Sequence, residues 1–188
     1  AGGGMVTAEL QLLLPQSAAA AVQGYAAAWL FAGALSKIGN RDGFADVVAN
    51  YDILPAAWAR SVSRALPFAE FVAAATLFAG SSLAANGPAI LLLLLFSAAM
   101  AANLLRGRDG LECGCDLTRP STIAWSLVFA NLILAALLAL SACAPRAAPM
   151  LVDAAGTVAG IGAYLFHQTM RTLAAMPPRR HAPKAGLP

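Results

Sequence analysis

Long runs without a single charged side chain limit what this chain can become. Leu10 to Ser36 carries none, nor do Phe71 to Leu105, Pro120 to Pro145 and Ala154 to Met170. A helix that crosses a bilayer needs roughly 20 mostly apolar residues, within a range of about 17–25. The composition points the same way, with 60% hydrophobic and 11% charged residues, where soluble domains carry about 25% charged. A water-soluble chain of 188 residues has too little polar side chain here to cover its surface. The sequence therefore predicts an all-α integral membrane protein with a single transmembrane domain over residues 5–176.

Five spans are expected, at about 18–36, 67–85, 88–105, 120–142 and 152–171. The run from Phe71 to Leu105 is too long for one helix, and Asn86-Gly87-Pro88 supplies a turn signal inside it. It is read as a tight helical hairpin. Thr118 suits the N-cap of the fourth span, with Pro120 tolerated in its first turn. The fifth span holds Gly156 and Gly160 four residues apart, which permits close helix approach. Packing inside the bundle is the leading use of that pair, and dimerisation the alternative.

Residues 1–4 read as a linker ahead of Met5, and 177–188 as a disordered tail. The stretch after Met5 lacks a basic n-region and runs into a segment longer than an h-region, so it reads as a span and not as a leader. Residues 41–66 form the longest connection. Phe44, Val47, Val48 and Tyr51 fall there at helical spacing, which suits a short interfacial helix. A solvated loop with a few anchors is the alternative.

The basic residues are lopsided. With five spans, all of the 12 Lys and Arg residues except Arg146 share a side with the 41–66 and 106–119 loops. The positive-inside rule assigns that side to the cytoplasm. The net charge of +3 is modest, and no motif supports a nucleic-acid partner.

Chemistry is concentrated at Cys113-Gly114-Cys115. Thiols at i and i+2 can lie within the Cα range of about 4.4–6.8 Å that a disulfide needs. Gly114 eases so tight a ring. Strained, accessible disulfides tend to be catalytic. The helix start near Thr118 and the charge of Arg119 favour a thiolate at Cys115, while Glu112 and Asp116 oppose it. Trp125 is a candidate wall for a quinone pocket. Unpaired loop thiols or half a metal site are the bland alternatives. Zinc wants four ligands, and His167 and His181 are too remote, so no metal is expected. Cys143 reads as a small buried hydrophobe. Arg106, Arg108 and Asp109 read as interfacial anchors, and Asn103 and Asn131 as helix–helix hydrogen-bonding groups.

Several pieces together resemble a known family. Phe31-x-x-x-Leu35-x-Lys37-Ile38-x-Asn40 is followed by Phe44, by Tyr51-Asp52-Ile53-Leu54-Pro55, by Leu66-Pro67-x-x-Glu70 and by Cys113-Gly114-Cys115. This pattern, over about residues 18–142, resembles the methylamine utilisation protein MauE family within the DoxX-like membrane proteins. Asp116-Leu117 departs from the Phe-Gly expected after the cysteines. The layout is also similar to vitamin K epoxide reductase, which implies a four-helix transmembrane bundle plus a fifth helix.

The resemblance implies a thiol–disulfide oxidoreductase that supports maturation of methylamine dehydrogenase, whose small subunit carries many disulfides. The implied direct partner is MauD, a membrane-anchored thioredoxin-like protein, and the implied electron acceptor is a quinone in the bacterial inner membrane. The expected order is attack of the partner's thiolate on Cys113, release of Cys115, and electron transfer from Cys115 onward. It also implies an extracytoplasmic cysteine pair, against the positive-inside count, because disulfides persist there. A non-catalytic scaffold and a transmembrane channel for reducing equivalents are the competing functions.

Overall fold

The computed structural model describes residues 2–80, 82–114, 121–144 and 150–176, excepting the side chains of 2–12 and 56. Among the described residues six helices follow one another: α1 (Gly2–Gly39), α2 (Arg41–Asn50), α3 (Ala56–Leu77), α4 (Leu83–Leu105), α5 (Trp125–Ser141) and α6 (Met150–Ala174). By length and composition, Leu13–Gly39 of α1, α4 and α6 can each cross a membrane. The apolar α5 is shorter, at 17 residues. α1 packs on α6, α3 and α5, α4 joins α3 to α5, and short α2 lies on α3. The core is built from small and branched residues of α1, α3, α4 and α5, including Ala26, Leu30, Ala73, Leu93 and Leu138.

Several boundaries depart from the sequence reading. α1 begins at Gly2 and runs through Pro15, so the segment taken as a linker is helical from Gly2 and the span does not start near residue 18. α3 begins at Ala56 and carries Pro67 inside it. Ala59, Ser63, Pro67 and Glu70 form a buried stripe at helical spacing, and that stripe extends the helix back into the expected 41–66 connection.

The helical hairpin exists, but its turn lies between Leu77 and Leu83 and not at Asn86-Gly87-Pro88. Ser82 caps α4 by accepting from the Ala85 N–H at 3.1 Å. Asn86 is fully buried. It donates to the Leu138 carbonyl at 2.8 Å and to Ser141 Oγ at 2.9 Å, and accepts from Gln23 Nε2 at 2.8 Å. Those three bonds join α4 to α1 and α5, and they outweigh the local turn preference.

α5 starts at Trp125 with Ala124 in extended conformation ahead of it, later than the expected residue 120. Residues 121–123 instead pair with 111–113. The Cys113 N–H donates to the Ser121 carbonyl at 2.7 Å, and the Ile123 N–H to the Leu111 carbonyl at 2.8 Å. Thr118 and Pro120 lie outside the described residues. Cys143 is exposed with a free thiol, not buried.

α6 follows α1 in parallel register. A Cβ on Gly156 would meet the Ser17 carbonyl, one on Gly160 the Ala21 carbonyl, and one on Gly24 the Thr157 carbonyl. The glycines let the two backbones touch. The leading use read for Gly156 and Gly160, packing within the bundle, is what the structure shows.

Candidate functional site

The segment leading to the cysteines is folded back onto the bundle end where α1 stops and α5 starts. Cys113 packs with Met100, Ile123 and Val128 in a small second core. It is 9% exposed, its sulfur lies 3.9 Å from Met100 Sδ, and it is disulfide-bonded. Of the other cysteines, Cys143 is free, and Cys115 lies outside the described residues, as do Thr118 and Arg119. Cys113, expected to be the sulfur that a partner attacks, is the one turned inward, beneath other side chains.

α2 is what covers it. Asn40 caps this helix by accepting from the Gly43 N–H, and Phe44 and Val47 are buried beneath it. Gly114 has φ +69°, and a Cβ there would stand 2.9 Å from Val47 and 3.3 Å from Phe44. Cover and cysteine segment are therefore in direct contact. Tyr51 Oη donates to the Cys113 carbonyl at 3.3 Å, and burial pushes the Tyr51 hydroxyl up to about 12, so it remains a donor at physiological pH. Arg108 donates to the carbonyls of Asn50 (2.8 Å) and Tyr51 (3.4 Å), and to Asn103 Oδ1 (3.1 Å). Arg106 reaches the Asp52 carbonyl at 3.3 Å. Cations on the last carbonyls of a helix complement its dipole. Arg106 and Arg108, read as lipid anchors from the sequence, thus hold the cover in place.

Gly114→Ala is expected to destabilise the protein by about 1–2 kcal/mol, the cost of a left-handed residue with a Cβ, and to lift α2. The check is a lower melting temperature together with faster alkylation of Cys113 after mild reduction.

Behind the cover is a cavity of about 630 Å³, bounded by Trp29, Phe44, Val47, Phe96, Met100 and Cys113 among others. Native interiors rarely leave voids much larger than a water, and ligand pockets run about 300–1,000 Å³. The lining is almost wholly apolar. Its charged groups among the described residues are a buried ion pair, with Lys37 Nζ at 2.7 and 3.0 Å from the two Glu70 carboxylate oxygens. The two side chains are 4% and 2% exposed. Lys37 Nζ also sits 5.4 Å from the Phe44 ring centre and 5.7 Å from that of Phe96, within cation–π range.

The sequence reading assigned Lys37 and Glu70 no role, although both stand at the edges of charge-free runs, where an ionisable group is a functional signal. Trp125 is 44% exposed, packs near Phe129, and is not among the residues that line the cavity; Trp29 takes that position. Asn131 also lines it.

The family model described as "Methylamine utilisation protein MauE" matches residues 15–144. A methylamine utilization protein MauE of Paracoccus denitrificans is 39% identical over 72% of this chain and 76% of its own length. Its namesake from Paracoccus versutus is 35% identical over 85% and 88%. The one from Methylophilus methylotrophus is 38% identical over half of each chain. No solved structure is significantly similar to the chain.

Proposed function

The chain belongs to the methylamine utilisation protein MauE family, and from that premise we propose that it is a membrane thiol–disulfide oxidoreductase serving methylamine dehydrogenase maturation. Its helices would form a bundle of vitamin K epoxide reductase type with one further helix. The observation that carries this reading is the disulfide-bonded Cys113 on the wall of a covered apolar cavity.

Cys113 and Cys115 form the working disulfide in this reading. The thioredoxin-like partner, MauD, brings two thiols. Because Cys113 is buried under α2, the partner's thiolate attacks Cys115, forms a mixed disulfide and releases Cys113 as a thiolate on the cavity side. The partner's second thiol then breaks the mixed disulfide and leaves the partner oxidised. Two electrons and two protons now rest on Cys113 and Cys115. They leave together as the disulfide re-forms.

The electron acceptor is a quinone. The cavity fits one on two counts: its walls suit an apolar ring, and its polar groups are few, with the charged ones, Lys37 and Glu70, paired beside the void. A bound quinone supplies a sink for two electrons and two protons. Phe44 and Val47 exclude water from above, Cys113 holds the cavity-side sulfur, and Tyr51 fixes its backbone. The pair faces the extracytoplasmic side of the inner membrane, where an oxidised partner is of use.

Cys113→Ser with Cys115→Ser tests the reading. Dithiol oxidation by the reconstituted protein, and its ability to support dehydrogenase maturation, should both fall to background. Maturation that persists without the pair would make the protein a scaffold. In intact, mildly reduced cells, a membrane-impermeant thiol reagent should label the pair. Labelling only after lysis would instead favour a channel for reducing equivalents.

A further inference from the structure

Lys37 and Glu70 are an odd pair to find in a lipid-embedded bundle. Charges there are costly, and an ion pair that only fastens two helices gains most when it is sealed between them. This one borders a cavity. It does join α1 to α3, yet its ammonium projects among the cavity's aromatic walls, with Phe44 contributed by the cover and Phe96 by α4. An ammonium has three protons to donate. Among the described residues, Lys37 directs hydrogen bonds only to the two oxygens of Glu70, which leaves donor capacity beside the void. The same cavity touches Cys113 and Gly114. Among the described residues, one compartment therefore holds a disulfide-bonded sulfur, mostly apolar walls with Tyr51 and Asn131 as neutral polar groups, and one cation, Lys37.

Resting on the quinone reading above, we propose that Lys37 is the quinone-binding residue of this cavity, its ammonium donating a hydrogen bond to a ring carbonyl oxygen, with Glu70 as the positioning residue that holds it there. A lipid tail would fill the same apolar space with no use for the cation. A planar ring bearing carbonyl oxygens uses the walls and the cation at once. Phe44 lies against both Gly114 and Lys37, so the cover that shields the cysteine segment also closes over the anchor.

The test is binding, not turnover. Trp58→Phe with Trp125→Phe leaves Trp29, which lines the cavity, as the sole tryptophan. A short-chain ubiquinone titrated into this protein in detergent should quench Trp29 saturably. Lys37→Met alone strands Glu70 and endangers folding, so the decisive variant is Lys37→Met/Glu70→Met. Replacing a buried ion pair with apolar residues of similar volume is often neutral for stability. With helicity and disulfide intact, the double variant should bind about tenfold or more weakly, the worth of one hydrogen bond to a charged group. Glu70→Gln keeps the cation and an acceptor to orient it, and should bind within about threefold of the parent, under 1 kcal/mol. Saturable quenching in the parent with equal affinity in the double variant would overturn the role of Lys37 and leave the quinone reading standing. An absence of saturable quenching in the parent would overturn both.

Discussion

Glu70→Leu is expected to destabilise the protein by about 3–5 kcal/mol, the range seen when one partner of a buried ion pair is removed. The cost arises because Lys37 is left with a charge and no counter-charge at a site where its side chain is only 4% exposed. Lys37→Met should cost more. The lysine has the Phe44 and Phe96 rings as secondary partners, and cation–π contacts of desolvated groups are worth about 2 kcal/mol. Among the described residues the Glu70 carboxylate has only Lys37. The double replacement should recover most of either loss, so that the cycle shows a coupling of several kcal/mol between the two sites. Unfolding titrations in mixed detergent measure all four proteins. Additive single effects would mean that the pair does not act as a unit.

The same pair shows how far the sequence could be read. Lys37 and Glu70 are visible as charges at the rims of apolar runs, and both fall within the motifs that carried the family resemblance. Their meeting is not visible, because it depends on α3 extending back through Pro67 so that Ala59, Ser63 and Glu70 share one buried face. Cys113 was legible as a candidate from local chemistry, since Cys-Gly-Cys needs no tertiary information to suggest a tight disulfide; Cys113 is disulfide-bonded, and Cys115 lies outside the described residues. The backbone pairing of 111–113 with 121–123 that sets Cys113 in its place was not legible, because the sequence suggested a helix start at Thr118 there.

Asn86-Gly87-Pro88 misled for a related reason. Local turn preference is worth less than three buried hydrogen bonds from one asparagine. Arg108 looked like a lipid anchor because it follows an apolar helix, and nothing nearby announces that two of its three acceptors are carbonyls more than fifty residues earlier. In each case the sequence named the right residue type and left its partner out, because the partner lies on another helix.

The glycine seam between α1 and α6 carries the second large effect. Gly160→Leu is expected to detach α6 from α1. The contact repeats every four residues in parallel register: Ser17 meets Gly156, Ala21 meets Gly160, and Tyr25 meets Tyr164. At Gly160 the obstacle is the backbone carbonyl of Ala21, which no rotamer change can move aside. Overpacking a tight interface typically costs about 1–3 kcal/mol and sometimes more, and here both helices must separate along their length for even a Cβ to fit. The aromatic contacts above the seam would go with it, including Tyr25 Oη to His167 Nδ1 at 2.6 Å. Without a water-driven hydrophobic force between helices in lipid, close packing is what holds them together, so little remains to keep α6 in place. Cross-linking of cysteines placed at positions 16 and 153, whose native side chains meet at 3.1 Å across the two helices, should be efficient in the parent and fall to background in Gly160→Leu. Among the described residues the Cys113 cavity borders α1, α2, α3, α4 and, through Asn131, α5, but not α6. Quinone affinity should therefore survive the loss of the seam better than thermal stability does. Equal loss of both would show that α6 supports the cavity through α1, and that the bundle does not divide into a working core and an added helix.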